Sequence, residues 1–176
     1  MTGLPRTLVS GVFAAAIFAS SVAADTAPTL LGTFKDWSAF QATTSQGRTC
    51  YTLAKPKSSE PKKAKRDPIY LLISDWPLRK TRSEPEIVPG YQYKDGSTVS
   101  VTVGAEKFEF FTKNDGGAGS AWVQEQSNEI NFVEAMKRGS QVVVTGTSQR
   151  GTLTHDTYSL NGFAAALDKI HAACGM

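Results

Sequence analysis

The sequence predicts a mostly β fold, an antiparallel sandwich carrying one or two helices, one of them at the C-terminus. Three observations lead there. Short runs rich in Val, Thr, Tyr and Phe recur along the chain, and the clearest, Ser97 to Val103, sets Val99, Val101 and Val103 against polar neighbours, the period of a strand with one covered face. Turn signals containing Gly, Asn and Asp separate these runs at short intervals. Helical spacing appears in only two stretches, the second at the C-terminus. Seven or eight short strands with two helices fit a sandwich with helical additions.

Taken in order, residues 1–24 read as a signal peptide. Arg6 gives a weakly positive start, Leu8 to Ala19 is apolar apart from Ser10 and Gly11, and Val22 and Ala24 suit the −3 and −1 positions of a cleavage site. One domain, 25–176, is expected to follow. Phe34 to Phe40 reads as the first strand, Gln46-Gly47-Arg48 as a turn, and Thr49 to Leu53 as a second strand with Cys50 and Thr52 on one face. Residues 55–68 (KPKSSEPKKAKRDP) hold six basic and two acidic residues and no large apolar one, so an exposed loop is expected. Ile69 to Ile73 is a continuous apolar run, as in a central strand, and Pro77 ends it. Residues 79–90 carry Pro85, Pro89 and Gly90 and read as irregular or as an edge strand.

Ser97 to Val103 and Lys107 to Thr112 form a hairpin candidate across Gly104-Ala105-Glu106, and Ala121 to Val123 a short strand. Ser127 to Arg138 fits a helix on which Ile130, Val133 and Met136 recur, with Lys137 and Arg138 at its negative end and Gly139 as the stop. Gln141 to Ser148 and Thr152 to Ser159 form a second hairpin. Asn161 is placed to cap the last helix, where Phe163, Leu167, Ile170 and Cys174 share one face.

The chemistry-bearing residues are few. The formal net charge of +3 is too mild to argue for nucleic acid as a partner. No later segment is apolar enough to cross a bilayer, so a mature chain in the periplasm or outside the cell is expected to be soluble; attachment to the outer membrane stays open. Export would let Cys50 and Cys174 form a disulfide, tying the C-terminal helix to the second strand. Asn114 to Gly119 is glycine-rich but lacks the Lys-Ser/Thr ending of a phosphate loop. His155 and Asp156 are adjacent on a strand, hence on opposite faces, and form no local ligand pair. Neither a cofactor nor a metal is implied. The most distinctive surface feature is Lys62, Lys63, Lys65 and Arg66, a candidate site for an anionic partner, whether a protein or an envelope or host surface.

The motifs Ala135-Met136-Lys137-Arg138-Gly139, Val142 to Ser148, Arg150-Gly151-Thr152 and Asp156 to Phe163, with Ala166-Leu167, resemble the invasion-associated locus B family. Phe34-Lys35-Asp36-Trp37, Cys50 and Ile73-Ser74 fit the same family, so the resemblance spans nearly all of the mature chain. It implies an exported protein with an immunoglobulin-like sandwich, linked in pathogens to host-cell entry, and no catalytic residues. Many members carry a further cysteine shortly after the tryptophan, where this chain has Phe40 and Gln41, so the family's disulfide pattern does not transfer. The leading expectation is a non-enzymatic binding module. The alternatives are a hydrolase or other enzyme using His155 and Asp156, and a periplasmic structural or stress protein.

Overall fold

A computed structural model describes residues 27–176, so the expected signal peptide, 1–24, lies outside the described residues. The strands are β1 (Thr29–Phe34), β2 (Trp37–Thr44), β3 (Gly47–Ala54), β4 (Ser58–Glu60), β5 (Tyr70–Trp76), β6 (Thr81–Val88), β7 (Thr98–Val103), β8 (Glu106–Asp115), β9 (Ala118–Trp122), β10 (Gln141–Thr147) and β11 (Leu153–Ser159). The helices are α1 (Gln126–Arg138) and α2 (Phe163–Cys174). All strand pairs are antiparallel and join in one sheet, ordered β1-β2-β3-β5-β6-β9-β8-β7-β10-β11-β4.

That sheet curls until its ends meet. β3 and β4 lie far apart in the strand order, yet residues 55–57 alone connect them. Trp37 at the start of β2 donates its indole N–H to the Ser159 carbonyl at the end of β11 (2.9 Å), and the Asp36 amide donates to the Asn161 carbonyl (3.2 Å). The two layers expected of a sandwich are therefore halves of one twisted sheet. Between them lies a single core that includes Trp37, Ile73, Val101, Phe110, Val144 and Tyr158. The alternation of Val99, Val101 and Val103 points inward as predicted.

Both helices close this core. Phe132 of α1 meets Phe108 and Phe110 edge-on, each at 5.2 Å between ring centres, a geometry favoured by the ring quadrupoles. Phe163, Leu167, Ile170 and Cys174 of α2 are buried on the face their spacing predicts, and Phe163 packs on Trp37 at 4.8 Å. Cys174 is bonded to Cys50.

Five local readings need correction. Phe34 to Phe40 is not one strand: Lys35 and Asp36 form a tight turn between β1 and β2, with Lys35 at φ 55°. Residues 81–88 form an internal strand, β6, although they contain Pro85. A proline cannot donate to a ladder, but β9 pairs only with Glu86 and Ile87, so at Pro85 the strand has one partner, like an edge. Ile130 is 58% exposed, and Phe132 takes the core position expected of it. Asn161 does not cap α2; Gly162 does, at φ 90°, pressed so close to the Phe34 carbonyl that any side chain would collide with it. The segment 55–68 is not wholly an exposed loop, because β4 pairs with β11 and Arg66 turns inward.

Candidate functional site

The basic segment is held at one end of the curled sheet. β4 runs along β11, placing Ser59 opposite Asp156 and Glu60 opposite His155. The chain then turns back, and the Asp67 amide donates to the Gly90 carbonyl (3.0 Å). Gly90 sits at φ 73° directly against the Asp67 carbonyl, where a side chain could not fit. Between these anchors Arg66 enters the protein. Its Nη1 and Nη2 donate to the two oxygens of Asp156 at 2.8 and 2.6 Å, and its Nε donates to the Pro89 carbonyl at 2.8 Å. The guanidinium also lies over the Tyr91 ring, 5.0 Å from its centre. The two charged side chains are only 6% and 2% exposed. The planar fork of arginine matches a carboxylate in both bonds, and lysine could not reproduce it.

Of the four candidate residues, then, Arg66 is committed to the protein, whereas Lys62, Lys63 and Lys65 are exposed. Lys63, Lys65 and Arg66 line a groove of about 800 Å³. Its other walls are Gly90 to Gln92, the β8–β9 turn at Gly117, and the β10–β11 turn, which contributes Arg150. Backbone bonds hold these loops together: Gln149 donates to the Gln92 carbonyl (2.7 Å) and Lys94 to the Thr147 carbonyl (2.9 Å), while the Asn114 amide brackets Tyr93 from both sides. Tyr91 and Thr154 share a hydroxyl bond of 2.7 Å in the groove wall. Sequence reasoning missed Arg150. It sits in a turn with no local signal, and only the sheet's closure brings it beside Lys63 and Lys65.

His155 is exposed, bonded through Nδ1 to the Thr145 hydroxyl (3.0 Å), and does not line the groove. Asp156 faces the other way, as strand alternation requires. Among the described residues, no group of three His, Cys, Asp or Glu side chains could hold a metal ion.

A second polar cluster was not anticipated. Ser83 Oγ lies 2.9 Å from His171 Nε2, with Asp75 Oδ1 at 3.7 Å from the same nitrogen. Ser83 is at φ 60°, uncommon for a residue with a side chain, and its amide donates to Asp75 (2.8 Å). This resembles a hydrolytic triad, but the carboxylate is on the wrong side of the ring. Arg82 can only donate, and it reaches both ring nitrogens, Nδ1 at 2.9 Å and Nε2 at 3.5 Å. Nδ1, where a triad places its carboxylate, thus faces a cation, and Asp75 approaches the nitrogen that meets the serine. The cluster clamps the last turn of α2 to β5 and β6. No sequence signal joins residues 88 positions apart.

The clamp predicts an unusual pH response. Burial pushes His171 from 6.5 down to about 4, helped by Arg82 and Lys137, and burial pushes Asp75 from 3.8 up to about 6. For His171 the unfolded chain binds the proton first as pH falls from 6.5 to 4, which favours unfolding. For Asp75 the folded chain binds it first between 6 and 3.8, which favours folding. The two contributions offset, so wild-type stability should change little from this pair across that window. His171→Gln should leave stability rising by about 2 kcal/mol as pH falls from 6 to 4, and Asp75→Asn should reverse the slope. Urea midpoints measured across pH test this, and parallel profiles for the two variants would contradict it.

Residues 37–171 match the sequence model of a family described as invasion associated locus B (IalB) protein. The crystal structure of invasion associated protein b from Bartonella henselae is similar in fold, with a TM-score of 0.57 at 14% identity, over 86% of this chain and 100% of that one. No match was found among curated proteins.

Proposed function

Because this chain belongs to the invasion associated locus B family, we propose that it is an exported, non-enzymatic binding module that holds an anionic macromolecule in the groove beside Arg66. In this reading residues 1–24 are removed on export and residues 25–176 act as one domain in the periplasm or beyond it. The Cys50–Cys174 bond fits an oxidising compartment. A role in host-cell entry is what the family's description offers; maintenance of the envelope would use the same contacts.

One observation carries the proposal. Lys63, Lys65 and Arg150 converge on the groove from two distant segments, and none of them forms an ion pair among the described residues. Three uncompensated cations in a concave site raise the local concentration of anions and speed their encounter. Arg66 contributes differently. Its charge is already met by Asp156, so it fixes the loop's position and keeps the lysines from scattering.

Capture from envelope and host-surface fractions, with a Lys63→Gln/Lys65→Gln/Arg150→Gln variant beside the unaltered protein, tests this. The unaltered protein should retain a polyanionic component that the variant releases, and the difference should shrink as salt rises. Equal retention by both proteins would remove the groove from the account. N-terminal sequencing of the exported protein should begin at Asp25.

A further inference from the structure

The lining of the groove beside Arg66 restricts what it can hold. Among the described residues that line it, none is Leu, Ile, Val, Met, Phe or Trp. Its one aromatic side chain, Tyr91, is already engaged. The Arg66 guanidinium lies over the ring, Tyr93 meets it edge-on at 5.3 Å, and its hydroxyl is bonded to Thr154. The rest is polar. Gln149 and Thr152 are exposed and Gln92 is half-buried, and the side-chain amides of Gln92 and Gln149 have no partner among the described residues. Asp67, exposed beside Arg66, is the one acid in this lining and forms no ion pair among the described residues. The groove thus sets a free carboxylate and two free amides among the unpaired cations Lys63, Lys65 and Arg150.

We infer that the groove's ligand is an anionic polysaccharide, a chain whose hydroxyls alternate with carboxylate or sulfate groups; this rests on the reading of the groove as an anion site. Lys63, Lys65 and Arg150 meet the acidic groups, Arg150 with a planar fork that fits carboxylate and sulfate alike. Gln92 and Gln149 can both donate and accept, as sugar hydroxyls do. Asp67 decides the class. A carboxylate can only accept, so it serves a ligand whose hydroxyls donate and repels one charged at every unit. An acidic protein would bring an apolar or aromatic anchor and need a pocket for it, and a single-stranded nucleic acid would need a free aromatic face. The groove offers neither.

Titration with heparin, alginate and poly-L-glutamate, at matched charge concentration and salt, tests the inference. The protein should bind the better of the two polysaccharides about tenfold more tightly than poly-L-glutamate. Preference for heparin would assign a sulfated surface glycan, and preference for alginate a uronate polymer of the envelope. Asp67→Ala, an exposed substitution, separates the classes by sign. It should weaken the polysaccharide about fivefold, through the lost hydroxyl bond, and strengthen poly-L-glutamate, through the lost repulsion. Gln92→Ala/Gln149→Ala should weaken the polysaccharide about tenfold and leave poly-L-glutamate unchanged. Three outcomes would overturn the inference: binding of neither polysaccharide, poly-L-glutamate binding as tightly as the better one, or Asp67→Ala tightening every ligand. The last two would give the groove to an acidic protein and leave its role as an anion site standing. Lys63→Gln/Lys65→Gln/Arg150→Gln should lose all three ligands. Full binding by that variant would remove the anion site itself, so the two failures are separable.

Discussion

Asp156→Ala is expected to cost about 3–5 kcal/mol, because it leaves the Arg66 guanidinium buried without its counter-charge. That is a large share of the roughly 5–15 kcal/mol that holds a domain folded. Arg66→Ala should cost a similar amount: it strands a buried carboxylate and also loses the bond to the Pro89 carbonyl and the packing on Tyr91. Substituting both with apolar residues of similar bulk, Arg66→Met/Asp156→Leu, should recover most of the loss, since neither desolvated charge remains. Recovery of stability is not recovery of function. The pair stitches residues 61–67 to β11, and without its direction the lysines would no longer hold one wall of the groove. The double variant should thus unfold nearly like the wild type in urea yet bind anionic partners as poorly as a protein lacking Lys63 and Lys65. A cost below about 1 kcal/mol for Asp156→Ala would mean that Arg66 swings out to water and the loop is not tied down.

The same pair shows where sequence reading stops. Features governed by neighbours along the chain were legible: the hairpins around Gly104 and Gly151, the inward valines of β7, and the apolar face of α2 ending at Cys174. With two cysteines in a chain read as exported, their pairing was legible as well. Arg66 was not, because Lys62-Lys63-Ala64-Lys65-Arg66 has the local signature of a solvated run, and the acid that buries its last member lies 90 positions away. Pro85 argued against an internal strand, since local reading cannot show that β9 stops short of it. On α1 the spacing placed Val133 and Met136 in the core but misplaced Ile130, because the rings of Phe108 and Phe110 receive Phe132 instead. Local rules found most of the strands; the closure of the sheet that assembles the groove, and the packing of α2 on β5 and β6 that assembles the His171 clamp, are properties of distant pairs.

Replacing Cys50 and Cys174 together by Ala is expected to lower stability by about 2–4 kcal/mol. The bridge spans 124 positions, for which the loss of unfolded-chain entropy alone gives roughly 5 kcal/mol, and measured values usually fall short of that figure. The consequence should be uneven along α2. Its N-terminal half is held by Phe163 on Trp37 and by buried Ala166 and Leu167, contacts that need no covalent help. Its last turn depends on the bridge, on the His171–Ser83 contact and on a long bond of 3.4 Å from Arg48 to the Cys174 carbonyl. Hydrogen exchange in the variant should therefore speed up over 170–176 while 163–167 stay protected, and reducing agent should produce the same pattern in the unaltered protein. If the whole helix exchanges together, packing on Trp37 is too weak to hold it and the bridge anchors α2 alone. If nothing changes, the polar clamp suffices, and the cross-link acts only on the unfolded chain.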